Sequence, residues 1–177
     1  MEQNSITMIK CCDYSIRTLQ EKDLRSLEWG GEFTHFRRLY QEIFHSYIEG
    51  NSILWVVNRD CYELIGQIFV QFKSRRPELA DGIQRAYFYG FRIKPAFRGN
   101  GIGTALLNHA ETDLVGRNFC QATLNVAREN MYTQLFYKHR GYKIVAPESG
   151  HWSYFDHLGN RREINEPSWR MVKMIKS

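Results

Sequence analysis

The chain of 177 residues suits one domain, or one domain with a small appendage, and is long enough to bury a real core. At 43% apolar and 24% charged it has the composition of a globular protein, not of a disordered or fibrous one. A formal charge of +5 favours anionic partners, but Lys and Arg are spread along the chain and form no basic block of the kind that binds nucleic acid.

Residues 1–12 read as a loose lead-in, followed by a single domain over 13–177. YSIRTL (14–19) alternates apolar and polar residues and predicts a strand. Asp23 stands where a helix cap belongs, ahead of LRSLEW. From 32 to 49 the apolar residues Phe33, Phe36, Leu39, Tyr40, Ile43, Phe44, Tyr47 and Ile48 recur at helical spacing, and Gly50 marks the stop. That stripe faces a core, or part of it walls a pocket. ILWVVNRDCYELIGQIFVQF predicts two strands joined by a turn near Asn58 to Cys61, and residues 74–82 a loop. RAYFYGFRIK (85–94) is a third strand of this run. Leu106, Leu107, Ala110 and Leu114 predict a helix that stops at Gly116; QATLNVA (121–127) is a short buried strand, and residues 129–140 a helix halted by Gly141. YKIVA is the next strand, WSYFDHLGNRREI a hairpin about His157 to Asn160, and SWRMVKMI a final strand. The residues after the last helix are expected to complete the sheet. The order of elements gives a mixed α/β layer with a strand–loop–helix step at its centre.

Some chemistries have no residues to carry them. Cys11, Cys12, Cys61 and Cys120 show no CxxC spacing, and no secretory signal is legible, so reduced thiols in a cytoplasm are expected. The six histidines form no HExxH or other metal spacing, so no metal is expected. No apolar run approaches the length of a membrane span.

The informative stretch is KPAFRGNGIGTALLNHAE (94–111), where Gly99, Gly101 and Gly103 crowd the start of a helix. Glycine inside a helix costs roughly 1 kcal/mol relative to alanine, so such a start needs a reason. A Gly-rich turn between strand and helix exposes backbone N–H groups at the positive end of the helix dipole, which suits a phosphate or pyrophosphate. Arg98 adds a full charge at its lip. A Walker A loop would need a Lys after the last glycine, and Ile102-Gly103-Thr104-Ala105 has none. The dinucleotide fingerprint fails too, because the spacing is GxGxG and the segment follows a meander instead of opening a βαβ unit.

Arg98, Gly101 and Gly103 match the Arg/Gln-x-x-Gly-x-Gly/Ala signature of GNAT-type N-acetyltransferases, and the lead-in Phe91-Arg92-Ile93-Lys94-Pro95 resembles the strand that precedes it in that family. Asn130, Tyr137, Gly141 and Tyr142 are similar to the family's second pattern, with Phe136-Tyr137 for its Leu-Tyr pair and Thr133 where alanine is usual. The resemblance spans roughly residues 13–147. It implies a mostly antiparallel twisted sheet of about seven strands with four helices, and acetyl-CoA as cosubstrate.

The resemblance also assigns roles. The backbone of Arg98, Gly99, Asn100, Gly101, Ile102, Gly103 and Thr104 would hold the pyrophosphate, and the strand edge at Phe91, Arg92 and Ile93 the pantetheine arm. The Ile93 N–H would stabilise the thioester oxygen, and Tyr137, also against the cofactor, would protonate the leaving thiolate. Asn130 bonds the cofactor or caps its helix. An acceptor amine must lose a proton before it attacks. Tyr89 is one base candidate; Glu32, His35, Glu148 and His151 are others. Trp29, Phe33, Phe36, Trp152 and Tyr154 fall in the segments that build the acceptor pocket, and suit an apolar or planar acceptor, a core or a dimer contact.

The expected activity is acetyl transfer to a primary amine of a small molecule or peptide, with no nucleic acid or membrane as partner and a homodimer left open. The alternatives are a catalytically silent CoA-binding sensor on the same fold, and nucleic-acid binding through the basic surface.

Overall fold

The computed structural model describes residues 14–59 and 63–175. The lead-in over 1–12 and the tip of the first predicted hairpin lie outside them. Nine strands and three α-helices follow in the order β1 (Tyr14–Thr18), a 3-10 segment (Glu21–Gly31), α1 (Arg37–Ile48), β2 (Ser52–Arg59), β3 (Glu63–Gln71) and β4 (Arg85–Ile93). After these come α2 (Ile102–Gly116), β5 (Gln121–Ala127), α3 (Met131–Lys138), β6 (Lys143–Glu148), β7 (His151–Phe155), β8 (Arg161–Asn165) and β9 (Ser168–Met174). Seven strands form one sheet in the order β1-β2-β3-β4-β5-β9-β6. Every pairing in it is antiparallel except β4 with β5.

Both faces of the sheet are covered, which is why the central strands read as continuous apolar runs. On β2, Ile53 and Val57 face a core with α2, while Leu54 and Val56 face a second core with α1. Leu106, Leu107, Ala110 and Leu114 of α2 are fully buried on the first side; Tyr40 and Ile43 of α1 are buried on the second. Each such leucine contributes about 2 kcal/mol by removal from water. A buried carboxylate ties α2 to β9. Glu111 accepts from the Tyr142 hydroxyl at 2.8 Å and from Lys173 Nζ at 2.5 Å.

Three expectations are corrected. Asp23 does not cap its helix. Gln20 is the cap, and Asp23, three residues in, accepts from the Gln20 N–H at 2.8 Å and from Arg17. The segment is also 3-10 and kinked, with Trp29 and Gly30 in the left-handed region. The helix expected from 32 is split into a 3-10 turn (Thr34–Phe36) and α1. The predicted hairpin forms as β7–β8 but stands as a separate two-stranded sheet; β6 and β9 alone complete the large one. Its turn is pinned by Asp156, almost fully buried, which accepts from the N–H groups of Leu158 and Asn160 and from Arg162 Nε.

Candidate active site

The site begins with a defect in β4. Between Gln67↔Arg92 and Phe69↔Tyr89, β4 takes three steps where β3 takes two. The extra residue is a β-bulge. Gly90 supplies the backbone for it, with φ of +60°. A Cβ there would stand 2.6 Å from the Phe69 ring. The bulge reverses the alternation of side chains. Ala86 and Phe88 lie in the α2 core, and so do Phe91 and Ile93, although the numbering changes from even to odd. Arg92 therefore shares the opposite face with Tyr87 and Tyr89.

Just ahead of the bulge β4 leaves its parallel neighbour. The β4–β5 pairing runs from Arg85↔Gln121 to Phe88↔Leu124 and ends there. Lys94 N–H bonds the Ile65 carbonyl of β3, at 2.8 Å. Backbone N–H groups alternate along a strand, so the N–H of Ile93 points away from β3, into the gap that β5 has left.

At the end of that gap lies the glycine turn. Gly99 and Gly101 have φ of +79° and +77°, and a Cβ at either would meet nothing within 4 Å. They are therefore set by backbone conformation and leave open space above the main chain. Gly103 instead faces Phe91 and Ile93 at ordinary contact distance. Gly101 caps α2 without any side-chain hydrogen bond, and the helical ladder starts with the Ala105 N–H to the Gly101 carbonyl. The N–H groups of Ile102, Gly103 and Thr104 precede that first helical bond, at the positive end of the dipole. Arg98 is exposed and held by a bond from its Nε to the Ile93 carbonyl. Arg140 adds a second cation: it lies over the Phe136 ring and donates to the Thr104 hydroxyl.

A cleft of about 390 Å³ joins these parts. It brings together Phe91, Arg92, Ile93, Arg98, Gly99, Gly103, Asn130 and Tyr137. Of the remaining residues expected at the cofactor, Ile102 is buried in the core, Asn100 bonds the carbonyls of its own turn, Gly101 supplies the cap, and Thr104 meets Arg140. Asn130 does cap its helix, accepting from the Thr133 N–H at 3.0 Å, and also lines the cleft. Tyr137 reaches the cleft from α3; burial pushes its phenol well above the usual range, so it keeps its proton at neutral pH.

A model of the Acetyltransferase (GNAT) family matches residues 16–142. The chain belongs to that family. Solved structures agree on the fold. Ard1 from Thermoplasma volcanium superimposes with a TM-score of 0.71 at 19% identity, over 93% of this chain and 99% of the other. The ribosomal-protein-S18-alanine N-acetyltransferase from Escherichia coli gives 0.69 at 16%, covering 93% and 96%. NAA60 from Arabidopsis thaliana, solved with acetyl-CoA, gives 0.69 at 19%, covering 93% and 100%. Acetyl-CoA as cosubstrate is consistent with that complex. The residues present fit it: a helix start with no side-chain cap beside two arginines suits a pyrophosphate, and an unpaired strand edge suits an amide-bearing arm.

On the other face of β4 this GNAT domain has a second cavity, of about 620 Å³. Its walls include Phe36, Tyr40, Tyr89, Asn125, His151 and Trp152, and Arg92 lines both cavities. Of the aromatics expected here, Phe36 and Trp152 line it directly; Tyr154 packs on Phe36, with ring centroids 4.9 Å apart. Trp29 and Phe33 stand behind, in edge contact with each other at 5.3 Å.

The base candidates separate. Tyr89 lines the cavity, stacked with Tyr87, but burial raises its phenol, which disfavours a phenolate at neutral pH. Both Glu148 oxygens are taken by Arg76, and Arg170 stands 3.4 Å from one of them. His151 stands exposed on the cavity wall. His35 packs on Phe36, and burial and the charge of Arg92 hold its imidazole below the ordinary value, hence neutral at pH 7. Glu32 is exposed and is not part of the cavity wall.

The sequence reading missed three residues. Gly90 was legible as a glycine inside a strand pattern, the mark of a bulge. Asn125 was legible as the lone amide in the apolar run TLNVA. The role of Arg140 depends on α3 meeting the start of α2, and no local pattern carries that.

Proposed function

We propose that this protein is an acetyl-CoA-dependent N-acetyltransferase that transfers the acetyl group directly to a primary amine of a small molecule or peptide. The observation that carries the reading is the seam between β4 and β5, which ends at a glycine turn with no side-chain cap and has the Tyr137 phenol on its wall. Bound there, acetyl-CoA supplies an activated acyl group on a thiol leaving group.

The chain's own residues then act in sequence. The first-turn N–H groups of α2, with Arg98 and Arg140, hold the diphosphate. The free edge of β4 at Phe91 and Ile93 pairs with the arm as an added strand. The Ile93 N–H donates to the thioester oxygen as negative charge develops on it. The acceptor nitrogen enters from the other cavity as a neutral amine, having lost its proton toward the water-filled mouth where His151 stands. Its lone pair forms the new C–N bond as the C–S bond breaks, Tyr137 donates a proton to the sulfur, and the acylated nitrogen gives up its surplus proton to solvent, from which the phenolate regains one. Burial makes the phenol a weaker acid, but the same dry surroundings raise the basicity of the thiolate that receives the proton. The products are an N-acetyl amide and the free thiol.

Thermal denaturation with acetyl-CoA, CoA, ATP and NAD in parallel tests the reading, followed by thiol release with an amine panel. The expected result is stabilisation by the two CoA species only, with thiol release that depends on an added amine. CoA binding with no thiol release from any amine would instead support a sensor.

A further inference from the structure

The acceptor cavity contains an arginine that has no counter-charge among the described residues. Among the described residues Arg17, Arg25, Arg37, Arg76, Arg162 and Arg170 each meet a carboxylate within 4 Å; of the arginines that meet none, Arg92 is the one that lines this cavity. Its guanidinium lies 4.1 Å above the centre of the Phe33 ring and 5.2 Å from that of Phe36. Nη1 donates to the Tyr40 hydroxyl at 3.0 Å. A part-buried guanidinium held on aromatic faces keeps its remaining N–H donors for a ligand, and their fork geometry matches a carboxylate.

The rest of the cavity supports the same polarity. The Glu148 carboxylate is neutralised by Arg76 and Arg170, and Glu166, the other carboxylate of the wall, stands exposed to solvent. Asn125 lines the cavity just past the last residue of β5 that pairs with β4, and its Oδ1 is buried with no hydrogen-bond partner among the described residues. An amide oxygen there accepts from an amine N–H. The cavity thus offers an anion site at Arg92 and an uncharged N–H acceptor at Asn125.

We propose that Arg92 binds a carboxylate carried by the acceptor, so that the substrate is a small amino carboxylic acid. This rests on the acetyltransferase reading above. No covalent step changes: the amine is acetylated as before, and the carboxylate is only held.

The test measures kcat/KM for thiol release with three matched acceptor sets: common amino acids, their amides, and the corresponding decarboxylated amines, with spermidine and a tetrapeptide as further acceptors. Each is run on the wild type, Arg92→Met and Arg92→Lys, with acetyl-CoA binding measured separately. We expect the best amino acid to exceed its amide and its decarboxylated amine by about 30- to 100-fold, the scale of one charge-assisted bidentate contact. Arg92→Met should erase that preference, mainly through KM; any loss that comes from the acetyl-CoA cleft, which Arg92 also lines, falls on all three sets alike and cancels in the ratio between them. Arg92→Lys should restore part of it. Equal losses for all three sets in Arg92→Met would make Arg92 a clamp between β4 and α1 and overturn the assignment. Preference for spermidine, the tetrapeptide or any carboxylate-free amine would overturn it too. So would silence from every amino acid on a protein that still binds acetyl-CoA, an outcome that leaves the acetyltransferase reading standing. Failure to bind acetyl-CoA at all would remove both.

Discussion

Replacing Gly90 by alanine isolates the bulge that organises the site. The left-handed φ of +60° costs an L-residue about 1–2 kcal/mol. The new Cβ would also lie 2.6 Å from Phe69 Cδ2 and 3.0 Å from Cε2. Phe69 is only 2% exposed, so its ring has no free space to retreat into. Overpacking of this kind costs about 1–3 kcal/mol. The total is about 2–5 kcal/mol, or a fall in Tm of about 5–15 °C for a chain of this size. Gly99→Ala is the control, since Gly99 has φ of +79° and nothing within 4 Å. It should lose only the conformational part, about 1–2 kcal/mol. The assay is thermal and urea denaturation of the two variants beside the wild type, with acetyl-CoA affinity measured on each. If Gly90→Ala is no less stable than Gly99→Ala, the clash with Phe69 is not what fixes the bulge and the reasoning fails.

Four further outcomes are expected. Tyr137→Phe should lower kcat by about 10²- to 10⁴-fold with acetyl-CoA affinity nearly unchanged, as steady-state kinetics and calorimetry would read; full activity would remove the phenol from the proton path. Gly101→Glu places a carboxylate in the open space before α2 and should abolish stabilisation by acetyl-CoA, which at about 100 times Kd adds roughly 2.7 kcal/mol to the wild type. Hydrogen bonds from Arg37 hold Glu28 down to about 2, and at Asp156 backbone and Arg162 hydrogen bonds outweigh burial to the same end. Both folded values lie below the unfolded ones, so the stability they contribute is complete above about pH 4.5 and lost as pH falls toward 2; the double variant Glu28→Gln, Asp156→Asn should flatten that limb of a pH–Tm curve. Glu111→Ala leaves the Tyr142 hydroxyl and Lys173 without their partner and should cost about 3–5 kcal/mol in urea denaturation.

The parts of this fold that were legible in the sequence are those governed by short-range pattern. Helical spacing located α1, α2 and α3, and the glycines located the turn before α2. Asn130 and Tyr137 were placed by their offsets in a family pattern. What the sequence did not disclose follows from events between elements. Periodicity alone puts Arg92 on the same face as Phe88, because both numbers are even; only the inserted Gly90 moves it to the acceptor side. The hairpin β7–β8 has the alternation of any strand pair, and nothing in WSYFDHLGNRREI states which sheet it joins. Its separation comes from long-range contacts, such as Trp152 and Tyr154 against Phe36. Asp23 was misplaced by one helical turn because an acidic residue at the third position of a capping box looks, in sequence, like the cap itself.

The early end of the β4–β5 pairing has a mechanical consequence. The large sheet consists of two rafts, β1–β4 and β5-β9-β6, hinged along the short ladder from Arg85 to Phe88. The second cavity draws on both, with Tyr89 and Arg92 from one raft and Asn125 and Ser168 from the other. A ligand seated in the seam would therefore bear on both rafts and on the spacing of those opposed walls. On the acetyltransferase reading proposed above, the acceptor's chamber is finished only once the seam is filled, so binding of cofactor before acceptor is the expected order.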